Sequence, residues 1–334
     1  MLDRAVNLLK NDEVVAIPTE TVYGLAGSIY SEKALNKIFS VKGRPFFDPL
    51  IVHVSSIDDA KNLVISWPIA AQILAEKFWP GPLTLVLEKN EKISDLITSG
   101  LTSVALRMPN HKLALELIRK VGVPLAAPSA NKFGKTSPTM AKHVYDEFVH
   151  DDIYIVDGGP CVVGLESTVL SINQKDSFVE IALLRSGQVK LSEIKACLEN
   201  QNMKVVMLDV PDKKSSPGLM KHHYMPKKPL IFFNEDEDES IENMLDLIKV
   251  KLEEVPSSVE GVIIIRPSSI KKWIEMTLST SPQNAARELY SKLRDCGSGQ
   301  EDIILFKKKK YHNGEEWEAI LERLTKHRHS SFND

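Results

Sequence analysis

At 334 residues the chain is longer than most single domains, so it is expected to fold as two. Its composition, 43% hydrophobic and 26% charged, is that of an ordinary globular protein, and a formal net charge of -3 excludes a globally basic surface, so any polyanion site must be local. Cys161, Cys197 and Cys296 show no C-x-x-C spacing, which excludes a disulfide framework or zinc cluster and fits a reducing cytosol. The opening stretch "MLDRAVNLLKNDEVVAIP" carries acids early and no long apolar run, unlike a secretion signal. No later segment is apolar for long enough to span a bilayer. A cytoplasmic protein is the expectation.

"LDRAVNLLKN" has helical periodicity and "VVAIPTE" reads as a short strand entering a turn. "SEKALNKIFSVKG" is a second helix, capped by Ser31 and ending near Gly43. Strand "PLIVHV", helix "PIAAQILAEKF" and strands "GPLTLVLEK" and "TSVALRMP" follow. "KLALELIRKVG" is a helix closed by Gly122, and "PLAAPSAN" is a strand running into a loop. "IYIVDGG", "ESTVLSI" and "VEIALLRSG" complete a mixed α/β unit assigned to residues 1–208. Residues 209–229 lose periodicity and gain Pro, Gly, Lys and Ser, which marks a linker, although His222, His223 and Tyr224 decorate it. Residues 230–334 resume as alternating strands and helices: "LIFF", "ESIENMLDLIKVKLEEV", "GVIIIRP", "NAARELYSKLRDCG", "EDIILFK" and "EEWEAILERLTKH". That series predicts a small Rossmann-like parallel sheet. Its acidic first βα turn lacks G-x-G-x-x-G and is assigned no dinucleotide.

Four polar clusters interrupt the first unit at strand ends: "PTETVYGL", "KGRP", "APSANKFGKTSPT" and "GLESTVL". Each alone is ordinary turn chemistry. Four in one α/β unit point to a site, since such units gather their functional groups at strand ends. In "VKGRPFFDPLIVHV" the cations Lys42 and Arg44 precede a buried strand. Read as extended backbone, the segment projects both to one side, where they suit a polyanion. P-loop, nucleophile-elbow and H-E-x-x-H patterns are absent, and the nine histidines lack metal-ligand spacing. His53 alternates with Ile51 in an apolar strand and reads as a core histidine.

The ordered stretches "PTETVYGLAG", "KGRPFFDPLIVHV", "WPGPLTLVL", "RMPNH", "APSAN", "GPCVVGLESTVL" and "LRSGQV" resemble the threonylcarbamoyl-AMP synthase family. "SPGLMKHHYMP" and the unit after it resemble the two-domain branch of that family. The resemblance implies a YrdC-type twisted mixed sheet with helices, joined by a linker to the small parallel-sheet domain. It implies a reaction in which L-threonine, bicarbonate and ATP give threonylcarbamoyl-AMP and pyrophosphate, with magnesium carried on the ATP phosphates. The product would pass to a transferase that modifies tRNA. It also implies roles by position: Lys42 and Arg44 with Ser129 and Asn131 at the phosphates, and Thr21, His53, Arg107, Ala127 and Ser167 around threonine. Arg44, Asp48, Ser103, Ser129, Ser137, Arg185 and Tyr224 would contact the nucleotide. Asp48 stands where the family often has Asn, and approaches either the nucleotide or its magnesium. The linker, with Tyr224, is expected to fold over the occupied site. Two other functions compete with synthesis. One is a module with weak RNA binding, which the charge of -3 and the lack of aromatic stacking motifs disfavour. The other is carbamoyl transfer as in hydrogenase maturation, which the linker and C-terminal unit disfavour.

Overall fold

A computed structural model of the chain describes residues 2–209, 225–234 and 272–325. The chain begins with α1 (Leu2–Lys10), β1 (Val15–Ile17), β2 (Gly24–Ser28), α2 (Glu32–Lys42) and β3 (Ile51–His53). It continues through α3 (Ile57–Lys61), α4 (Ile69–Phe78), β4 (Leu83–Glu88), α5 (Asp95–Thr98), β5 (Ser103–Arg107), α6 (Lys112–Val121) and β6 (Leu125–Ala126). Then come α7 (Ala141–Glu147), β7 (Tyr154–Ile155), β8 (Thr168–Gln174), β9 (Val179–Arg185), α8 (Leu191–Glu199) and β10 (Val205–Met207). All ten strands share one mixed sheet in the order β10-β9-β8-β4-β5-β3-β6-β2-β1-β7. Because β10 pairs in parallel with β9, the large sheet runs to residue 207.

Local chemistry sets the helix that leads into the site. Ser31 Oγ accepts from Ala34 N to start α2, and Ala34, Leu35, Ile38 and Phe39 form its buried face. Gly43 ends it at φ 61, a left-handed conformation that glycine adopts without a Cβ penalty. Lys42 is therefore the last helical residue, not part of an extended segment. The expectation that Lys42 and Arg44 project together from extended backbone is corrected by that reversal. The face of the sheet under α2 and α4 is filled by residues such as Leu35, Ile38, Leu74, Leu85 and Leu106. The other face is covered by α1 and α6, through Leu9, Leu117 and Ile118.

The C-terminal unit contains β11 (Leu230–Asn234), β12 (Trp273–Glu275), α9 (Pro282–Ser298), β13 (Ile303–Lys308) and α10 (Glu315–Thr325). Its described strands form a parallel sheet in the order β11-β13-β12. The expected helix at 239–255, the strand at 261–267 and most of the linker, Tyr224 included, lie outside the described residues. The C-terminal core, with Leu289, Leu293, Phe306 and Trp317, also takes in Val22 and Leu165 from the first unit. At Gly164, φ +81, an added Cβ would stand 2.5 Å from Arg287 Cα, so α9 packs backbone to backbone there. A larger residue at 164 would have to push that helix away.

Candidate functional site

The cleft opens where β3 and β5 end side by side. His53 and Arg107 are register partners on these parallel strands and so present their side chains to one face. Crevices beyond the carboxyl ends of parallel strands are where α/β sheets hold ligands. The loop after β1 brings Thr19 and Thr21, and the loop after β6 brings Ala127, Pro128 and Ser129. Arg44, Ser167 and Arg185 complete the wall. Eight residues picked out from sequence thus meet in one place: Thr21, Arg44, His53, Arg107, Ala127, Ser129, Ser167 and Arg185.

The other expected residues stand further back. Lys42 is buried, and its Nζ donates to the carbonyls of Ser129 and Asn131, tying the end of α2 to the loop that carries Ser129. Burial first, then the nearby Arg44 charge, drives the Lys42 pKa well below that of an ordinary lysine. Asn131 braces the same loop, its Nδ2 donating to Lys132 O at 2.7 Å and Lys135 O at 3.0 Å. Ser137 has no exposed surface, and its Oγ donates to Glu166. Ser103 opens β5, at the other end of that strand from Arg107.

Two buried ion pairs within the first unit flank the cleft. Arg44 Nη2 lies 2.8 Å from Asp48 Oδ2 and also donates to Pro49 O at 2.8 Å, while Nε donates to Asp48 O at 3.0 Å. Asp48, expected near the phosphates, is thus engaged by Arg44. Among the described residues, no group of three or more His, Cys, Asp or Glu is placed to hold a metal ion. Arg107 Nη2 stands 2.8 Å from Glu20 Oε2, but the two atoms are out of line for a hydrogen bond. Neither Glu20 oxygen finds a donor, and both side chains are about 5% exposed or less. Arg107 Nε reaches Gly81 O at 3.3 Å. His53 is equally under-committed: it lines the cleft, is buried, and its Nδ1 has no hydrogen-bond partner. Burial, then the Arg107 charge, lowers its pKa to about 3, so the imidazole is neutral at physiological pH.

Sequence reasoning missed Glu20 and Glu166, although both fall inside stretches it singled out. Glu20 pairs with a residue on β5, and the partners of Glu166 include Tyr290 and Arg323 in the C-terminal unit. No spacing within either stretch signals those contacts.

A family model of the Sua5/YciO/YrdC type, described as Telomere recombination, matches residues 7–187. A second, described as Threonylcarbamoyl-AMP synthase, C-terminal domain, matches residues 189–327. The chain is 38% identical over 306 residues to the threonylcarbamoyl-AMP synthase of Pyrococcus abyssi, covering 90% of this chain and 86% of that protein. It is 45% identical over 228 residues to the threonylcarbamoyl-AMP synthase of Bacillus subtilis, covering 68% of this chain and 65% of that protein. The crystal structure of P. abyssi Sua5 complexed with L-threonine superposes with a TM-score of 0.79 at 34% identity, covering 97% of this chain and 93% of that one.

Proposed function

The chain belongs to the Sua5/YciO/YrdC family and carries the threonylcarbamoyl-AMP synthase C-terminal domain, and from that premise we propose that it makes threonylcarbamoyl-AMP. The substrates are L-threonine, bicarbonate and ATP, and pyrophosphate leaves, so the enzyme is an ATP-dependent nucleotidyltransferase. The observation that carries this reading is the single cleft in which the under-committed Arg107 and His53 face Ser129, Arg44 and Arg185. One end suits an amino acid and the other a nucleotide. The product is one a tRNA-modifying transferase would consume. Among the described residues no helix is long and apolar enough to cross a membrane.

At the amino-acid end, Arg107 takes the threonine carboxylate. A planar guanidinium matches that group, and Glu20 holds the cation in place without using up its hydrogen-bonding directions. The neutral His53 offers its uncommitted Nδ1 to the polar groups of threonine. Thr21 Oγ1, 2.9 Å from Thr19 Oγ1, completes a polar pocket for the substrate hydroxyl. Bicarbonate gives carbon dioxide and hydroxide; the threonine amine attacks the carbon, and the proton it loses leaves with that hydroxide as water. A carbamate oxygen attacks the α-phosphorus, and the bond to pyrophosphate breaks.

No protein nucleophile is required. Positioning and electrostatic stabilisation supply the catalysis. Arg44, Ser129 and Arg185 hold the nucleotide, while Lys42 and Asn131 act one layer behind by fixing the Ser129 loop. Magnesium arrives with the ATP phosphates as part of the substrate. Pyrophosphate release that requires threonine and bicarbonate together tests this reading. Release from ATP alone, at the same rate, contradicts it.

A further inference from the structure

Glu166 stands between the cleft and the C-terminal unit. Its buried carboxylate accepts from Ser137 Oγ, from the Tyr290 hydroxyl at 3.0 and 2.8 Å, and from Arg323 Nε at 3.2 Å. Tyr290 belongs to α9 and Arg323 to α10, which lie 124 and 157 residues away along the chain. Two adjacent dipeptides are gripped from opposite sides. Ser167 and Arg185 face the cleft and hold each other, with Arg185 Nε on Ser167 O and Nη2 on Ser167 Oγ, both at 3.0 Å. Their neighbours Glu166 and Ser186 face the C-terminal unit, where Arg323 donates to both and Glu318 and Glu322 accept from Ser186.

Docking alone does not call for this network. Val22 and Leu165 already join the C-terminal core, and α9 already packs against Gly164. A buried ion pair is often no better for stability than apolar residues of the same volume. Its position suggests another role. An uncompensated carboxylate in the wall of a cleft that takes a polyphosphate would repel it, and would also draw Arg185 away from Ser167. Arg323, with no exposed surface, cancels that charge, and Tyr290 fixes where the carboxylate lies.

Resting on the proposed reading of the cleft, we infer that Tyr290 and Arg323 are positioning residues of the active site. They hold Glu166 as a neutralised anchor from which Ser137, Ser167 and Arg185 are set for the nucleotide. The C-terminal unit is on this account a part of the catalytic wall. Arg323→Met keeps volume but takes from Glu166 its ion-pair partner, leaving the hydroxyls of Ser137 and Tyr290 and the more distant Arg185 charge, whereas adding Glu166→Gln removes the carboxylate charge.

The test is steady-state pyrophosphate release by the full-length chain with ATP, threonine and bicarbonate, varying ATP and threonine separately. Arg323→Met is expected to raise KM for ATP about tenfold, with a smaller rise for threonine. The double variant Glu166→Gln/Arg323→Met is expected to recover most of that loss. Tyr290→Phe, the mildest change, is expected to raise KM for ATP about threefold. If Arg323→Met does not fold, the double variant and Tyr290→Phe still decide. Wild-type KM for ATP in Tyr290→Phe, or a double variant no better than Arg323→Met, overturns the inference. A wild-type chain that releases no pyrophosphate under these conditions contradicts the reading of the cleft itself.

Discussion

The two ion pairs beside the cleft look alike by distance and differ in commitment. Arg44 and Asp48 lie four residues apart and are out of line for a hydrogen bond at Oδ2, but the guanidinium ties two carbonyls of its own loop. Arg107 and Glu20 come from different elements, approach just as closely, and are not aligned to hydrogen-bond. A buried polar group left without a hydrogen bond is costly, so such groups mark places where a ligand completes the geometry. A cation tied to its own loop presents its charge to a ligand from a fixed place. One with an uncommitted N–H can also take a carboxylate directly.

The largest effect that separates the pairs is on stability. Arg44→Met leaves Asp48 as an uncompensated buried charge and is expected to cost about 3–5 kcal/mol, read as a lowered denaturation midpoint. Arg107→Met, which gives up one long backbone hydrogen bond where Arg44 gives up two short ones, is expected to cost less stability. It should weaken threonine binding about 100-fold, through loss of a charge-assisted contact. Equal stability losses with threonine affinity retained would show that Arg107 is structural too. Next in size, valine should be used about 30-fold less well than threonine, because it leaves Thr21 or His53 without a partner. Comparable turnover of valine and threonine would mean that the pocket does not read the hydroxyl. Glu20→Gln is expected to raise KM for threonine only about fivefold, since the side chain keeps its shape while Arg107 loses its electrostatic support. A kcat that falls while KM stays fixed would place Glu20 in the chemistry instead.

These contrasts also show what could be read from the chain itself. Helices α2 and α6 were legible because Ser31, Gly43 and Gly122 punctuate a regular apolar stripe. Strand β2, "GLAGS", was not, because small residues carry no β signal. It exists through pairing with β1 and β6. The eight cleft residues were legible by resemblance, motif by motif. Their roles divide on features that depend on three-dimensional register: that His53 lies opposite Arg107, that Lys42 points inward from the last turn of α2, and that Glu166 meets Arg323. Lys42 shows the limit most clearly. Spacing placed it beside Arg44, and the left-handed turn at Gly43 separates their directions.

The smallest effect concerns pH. His53 binds its proton only near pH 3 in the folded chain, against an ordinary value of 6.5. Between those values the unfolded chain holds a proton that the folded one lacks, so stability declines as pH falls through 6.5. His143, lowered to about 4 by burial and then by Arg294, adds to the same slope. His53→Asn should make the acid-side decline in melting temperature shallower. An unchanged slope would indicate that His53 is not neutral and buried in the folded state. Because its protonation lies so far below neutrality, threonine affinity should stay flat between about pH 6.5 and 8.

Whether one cleft joins threonine, bicarbonate and ATP is decided by following the carbon. The full-length protein is incubated with ATP, threonine and carbon-13 bicarbonate, and the quenched mixture is analysed by mass spectrometry. Threonylcarbamoyl-AMP carrying the label at its carbamate carbon is expected, formed together with pyrophosphate and absent without threonine. Pyrophosphate released with no labelled AMP conjugate, or a conjugate formed without bicarbonate, would contradict it.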